Sequence, residues 1–186
     1  MPFAIYVLAA LLILVLPISW LLAAAVAALI HELFHIGAVC LLGGRISGFR
    51  LGMGSARIEA NLPGRGCALL AAAAGPAGSL LLLCCCRWVP KIAVCGAVQG
   101  VYNLLPFYPL DGGRILRYLL ELLWPDSSET VASVVETSAA IVLLLAAVAG
   151  TMACSLGIWP VLVVLFPISG VLRRNIPCKE REMRVQ

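Results

Sequence analysis

Residues 31 to 35 read His31-Glu32-Leu33-Phe34-His35 and lie inside a nearly unbroken apolar stretch from Pro2 to Leu42. On a helix the two imidazoles stand four residues apart, about 6 Å along the axis and on one face, which suits two nitrogens gripping one zinc ion. They are the only histidines of the chain. Glu32 lies beside them as a candidate base. A histidine pair packed in a soluble core is the plainer reading, yet it leaves three ionisable side chains within five residues of almost uncharged sequence unexplained. Ionisable groups at membrane depth are costly and mark function. The stretch therefore predicts a metal site carried on a membrane helix.

Composition agrees with a bilayer as the solvent. The 186 residues are 62% hydrophobic and 12% charged, with a mean hydropathy of +1.05, outside the range of soluble globular domains. The net charge of +4 is spread over short connections and a tail, without the aromatic interleaving of a nucleic-acid surface, so no nucleic-acid partner is expected. The eight cysteines fall mostly in apolar runs and lack paired CxxC spacing, so they read as small buried hydrophobes. The run before Pro17 has the length of a signal-peptide core. It lacks a basic n-region, and it reads instead as a membrane helix.

Apolar stretches broken by Pro, Gly or charge give six spans, at 3–16, 19–42, 66–86, 91–105, 131–149 and 157–172. The expected fold is an all-α polytopic membrane protein: one domain over 1–172 and a short basic cytoplasmic tail over 173–186. Placing the tail (Arg173, Arg174, Lys179, Arg181, Arg184) in the cytoplasm and alternating sides puts Arg45, Arg50, Arg57, Arg65, Arg114 and Arg117 inside as well. Only Arg87 and Lys91 remain outside, which supports both termini in the cytoplasm. Between spans two and three, Phe49, Leu51 and Met53 alternate with Arg50, Gly52 and Gly54, and Ile58, Ala60 and Leu62 alternate with Arg57, Glu59 and Asn61. That period of two predicts a small β-hairpin at the cytoplasmic membrane surface, turning at Gly54-Ser55. Its strand from Phe49 to Met53 is a candidate edge for pairing with an extended substrate.

Two histidines leave a catalytic zinc site one protein ligand short. Among the carboxylates, Asp111 follows span four, after Asn103, Pro106 and Pro109, and precedes Gly112-Gly113, where backbone can approach closely. Irregular backbone at membrane depth is tolerated only against protein or a polar cavity, itself a site signal. Glu121 shares a helix with Arg114 and Arg117 and reads as part of a solvated ion-paired face. Asp126 and Glu129 belong to a Ser-rich turn, and Glu180 and Glu182 to the tail. Glu136, inside span five, stays as the rival to Asp111.

His31-Glu32-Leu33-Phe34-His35, together with Asn103-Leu104-Leu105-Pro106 and Asp111-Gly112, resembles the site-2 protease family of intramembrane zinc metalloproteases. The resemblance covers about residues 19 to 124. It implies one Zn2+ per chain held by His31, His35 and Asp111, Glu32 as the catalytic base, and Asn103 in substrate binding. Gly75-Pro76-Ala77-Gly78 is similar to a family turn between the two motifs. Ser79 stands where an asparagine is common, a departure that weakens any role for position 79. The compact plan is similar to the branch holding the sporulation protease that processes a sigma-factor precursor. Only residues 173–186 follow the last span, so the regulatory domain of those enzymes is not expected.

The activity implied is hydrolysis of peptide bonds within or near transmembrane segments of membrane-tethered substrates, in regulated intramembrane proteolysis. The expected partners are a membrane-protein substrate, the lipid bilayer, and a regulatory membrane protein or a second copy of the chain. The small size is similar to bacterial members and points to a bacterial plasma membrane. Two other classes compete: a zinc transporter and a non-catalytic membrane scaffold. A transport path wants several liganding stations where this chain offers one, and a scaffold has no use for Glu32 beside the histidines.

Overall fold

The computed structural model describes residues 17–52 and 55–154. The expected spans 3–16 and 157–172, the tail 173–186 and the pair Met53-Gly54 lie outside the described residues. What is described is mostly helical: α1 (Ile18–Leu41), strands β1 (Arg45–Gly52) and β2 (Ser55–Asn61), α2 (Arg65–Leu81) with a 3-10 turn (Leu82–Cys85), α3 (Pro90–Asn103), α4 (Asp111–Leu123), a second 3-10 turn (Pro125–Ser127) and α5 (Ser128–Cys154). Two compact units divide the chain, Met1–Leu105 and Pro106–Gln186.

Among the described residues, three stretches are long and apolar enough to cross a membrane: Ile18–Leu41, Arg65–Cys85 and Ser128–Met152. α3 has 14 residues and spans about 21 Å, short of the ~30 Å hydrocarbon core. The packing is that of helices dissolved in lipid. α1 buries Ala23, Ala27 and His31 at four-residue intervals and leaves Leu22, Leu29 and Leu33 more than half exposed. α2 buries Ala71, Ala72, Gly75, Pro76, Gly78 and Ser79, and α3 buries Ala93, Gly96 and Gly100. Lipid tails are as apolar as leucine, so burying leucine gains little, while small residues let backbones approach closely.

Side-chain pairs fix the helix directions in the first unit. Lys91 Nζ donates to Ser19 Oγ at 2.8 Å, and Asn103 Nδ2 to His31 Nε2 at 3.2 Å. Both pairs are 72 residues apart, so α1 and α3 run parallel with equal rise. α2 runs against both: its Ala71 meets His35 and its Ser79 meets His31, while Ser79 also packs on Gly96 and Gly100. Gly96 and Gly100 are thus where α3 crosses α2.

α1 ends in a Schellman turn. Gly43 sits at φ 72°, its N–H reaching the Cys40 carbonyl at 3.2 Å and that of Gly44 the Val39 carbonyl at 2.8 Å. The chain then enters β1, which pairs antiparallel with β2 in the register Arg45↔Asn61 to Gly52↔Ser55. The register shifts between Ile46 and Gly48, leaving Ser47 as an extra residue.

In the second unit the segment from Pro106 folds back on the start of α4. Phe107 is fully buried, its carbonyl takes the Leu110 N–H at 2.7 Å, and its backbone with that of Tyr108 lies where a Cβ on Gly113 would stand. Arg117 departs from the solvated ion-paired face expected for α4. Arg117 is buried and reaches across to Glu129 and Glu136 of α5, whereas Leu119, Leu122 and Leu123 are exposed.

Candidate metal centre

His31 is 2% exposed and lies 13 residues after the start of α1 and 10 before its end, close to the middle of the helix. His35, one turn on, bonds through Nδ1 to the Ala71 carbonyl at 2.7 Å. A carbonyl only accepts, so this nitrogen carries the proton and Nε2 carries the lone pair. For His31 the Asn103 amide donates to Nε2, which leaves the proton on Nδ1 to be donated to Ser79 Oγ at 2.8 Å. The two Nε2 atoms then face each other at 3.2 Å with rings almost perpendicular, 84° apart.

A cation shared by the two Nε2 atoms would take the His31 lone pair that the Asn103 amide engages. Nitrogens about 2.0–2.1 Å from a tetrahedral zinc ion stand about 3.3 Å apart. The observed spacing matches, and both outer nitrogens are anchored as metal-ligating histidines require. The donor set fits the ion. Glu32, on the same turn, is half-buried. Asn103 ends α3 with its amide on His31.

Asp111 is the first residue of α4 and is buried, with Arg114 3.8 Å from its carboxylate. The rival Glu136 is engaged otherwise: Arg117 Nη2 donates to its Oε1 at 2.7 Å. Phe49 and Leu51 fall on β1, and Met53 lies outside the described residues. In the first unit, then, His31, His35 and Asn103 are brought together, and no substrate contact is assigned to the strand residues.

One site residue escapes the sequence reading. Gly75-Pro76-Ala77-Gly78 is not a turn; it lies inside α2, and it ends at a fully buried Ser79 that holds His31. Pro76 has no N–H for the Ala72 carbonyl, which loosens the turn whose Ala71 carbonyl receives His35. Glycine is required where α1 crosses this segment, because a Cβ on Gly75 would overlap the His35 ring and one on Gly78 the Phe34 ring. The bond between positions 79 and 31 spans 48 residues, and no local pattern announces it. Ser79→Ala is expected to weaken zinc binding about 10- to 100-fold, as removal of a ligand's outer partner does. Ser79→Thr, which keeps the hydroxyl, should retain more affinity. Competition against a chromogenic chelator reads both; unaltered affinity in the alanine variant would refute the anchoring role.

Comparisons with known proteins point the same way. Residues 83–146 match the model of peptidase family M50, a stretch that holds Asn103 and Asp111 but not the histidines. The chain is similar in structure to the site-2 protease from Methanocaldococcus jannaschii, with a TM-score of 0.63 and 25% sequence identity over 91% of this chain and 84% of that one. A search of curated proteins finds no match. The resemblance read from the two motifs is thus met by a family model and by a solved fold, and together they support a membrane-embedded peptidase.

Proposed function

We propose that this chain is a zinc-dependent endopeptidase of site-2 protease type, cutting peptide bonds within or near transmembrane segments of membrane-tethered proteins. The observation that carries the reading is the pair of Nε2 atoms facing each other at 3.2 Å near the middle of a membrane helix, each ring held by its other nitrogen. Asp111 is the proposed third ligand. Its support is the Asn103-to-Gly112 motif, its burial at the head of α4, and the engagement of Glu136 by Arg117.

Zinc held by His31, His35 and Asp111 would acidify a water and polarise a carbonyl. Glu32 takes the proton released and passes it to the leaving amine, so hydrolysis needs no covalent intermediate. Asn103 holds the substrate backbone beside His31. A membrane-spanning substrate must unwind before attack, and the edge of β1 around Phe49 and Leu51 supplies main-chain partners for the opened segment, with Met53 the next residue of the same alternation in sequence. The six-span plan, with hairpin, tail and both ends cytoplasmic in a bacterial plasma membrane, is supported by the distribution of basic residues. The parallel run of α1 and α3 fits it too, since spans two and four must point the same way. Recognition of a regulatory membrane protein or a second copy belongs to the same proposal.

Zinc depletion tests the reading. Purified chain in detergent is expected to hold one zinc, to lose cleavage of a reconstituted membrane substrate when a chelator strips it, and to regain cleavage on addition of Zn2+. Undiminished cleavage by zinc-free protein overturns the assignment; zinc binding without cleavage favours the transporter or scaffold reading.

A further inference from the structure

The mechanism leaves a buried charged cluster of the second unit unused. Arg117 Nη1 donates to both carboxylate oxygens of Glu129, at 3.0 and 2.8 Å, and Nη2 donates to Glu136 at 2.7 Å. Glu136 is 2% exposed and lies within a stretch long and apolar enough to cross the membrane. A buried ion pair is weak evidence for stability, because desolvating two charges offsets most of their attraction. This pair is not fully satisfied either, since Arg117 Nε is buried without a hydrogen-bond partner among the described residues. An apolar pair would serve packing as well.

What distinguishes the cluster is what else it touches. Glu136 accepts the backbone N–H of Tyr108, and the Arg117 guanidinium stacks over the Tyr108 ring, 5.6 Å from its centroid. Tyr108 stands three residues before Asp111, and its backbone packs on Gly113. The entry into α4 is therefore held from both sides, by the glycine of its own first turn and by a carboxylate from α5. We propose that Glu136 is a positioning residue for Asp111: by holding the Tyr108 amide and the Arg117 guanidinium together, it fixes the loop that launches α4. The loop in turn fixes the direction of the Asp111 carboxylate. This inference rests on reading Asp111 as a metal ligand.

The test measures zinc affinity by chelator competition alongside thermal unfolding, on full-length protein in detergent. Glu136→Ala is expected to weaken zinc binding about 10- to 100-fold. Glu136→Gln, which keeps an oxygen for the Tyr108 amide, should recover most of that loss. The paired Arg117→Met/Glu136→Leu variant removes both charges, and with them the buried Nη2 donor that Glu136→Ala leaves without its acceptor while Nη1 keeps Glu129. It should unfold near the parent temperature yet keep the zinc defect, having no acceptor for the amide. Recovery of affinity together with stability in the paired variant assigns the cluster to packing alone and overturns the inference. So does unaltered affinity in Glu136→Ala when Asp111→Ala binds zinc weakly. Normal affinity in Asp111→Ala overturns the ligand reading itself, and the inference with it.

Discussion

Glu32→Gln is expected to stop peptide hydrolysis, with a loss of about 10³-fold or more in turnover, while zinc content stays at the parent level. The amide has the shape of the carboxylate but cannot take a proton from water, so the step that Glu32 serves fails and the ones that it does not serve continue. Neither histidine loses its outer anchor, since Ser79 and Ala71 hold them independently of Glu32. Substrate affinity should hold for the same reason, so the loss belongs in kcat rather than KM. Cleavage products resolved by gel, with metal analysis on the same sample, decide the matter. Cleavage at the parent rate would remove Glu32 from the reaction, and loss of zinc in this variant would recast it as a ligand.

Gly75→Ala carries the second large effect, and it tests the site through its walls. The added methyl would occupy the place of the His35 imidazole. That ring can move only by giving up the Ala71 carbonyl or by leaving the 3.2 Å approach to His31. Overpacking of this kind costs about 1–3 kcal/mol, and a displaced ligand should lower zinc affinity about 100-fold. Gly66→Ala is the control: it lies on the same helix with nothing within 4 Å of the added atom, and it should leave affinity unaltered. Equal affinities for the two variants would mean that the helix crossing is not as close as described.

The residues that sequence made readable are those whose partners lie one turn away. His31 and His35 share a face because a helix repeats every 3.6 residues, and long apolar runs mark α1, α2 and α5 because a bilayer selects for little else. What stayed hidden depends on the solvent or on distance. Pro76 was expected in a turn by resemblance to a family segment, but the helix continues through it, as helices in a membrane bundle can. Arg117 was expected on a wet surface, whereas its guanidinium has turned inward to Glu129 and Glu136 of α5. Ser79 and the tie between Tyr108 and Glu136 join residues far apart in sequence, and side-chain spacing along one helix says nothing of them.

The matched stride of α1 and α3 limits how the interior can rearrange. Lys91 grips Ser19 near one end, and twelve residues further along each helix Asn103 grips His31. A lengthwise slip of even one residue, about 1.5 Å, would have to break both grips together. The two helices can swing or roll, but they cannot shear. The two grips stand some 18 Å apart along the axes, so a lengthwise slip at the Lys91 end would be a slip at the Asn103 amide as well, as the handle and jaws of a caliper share one setting.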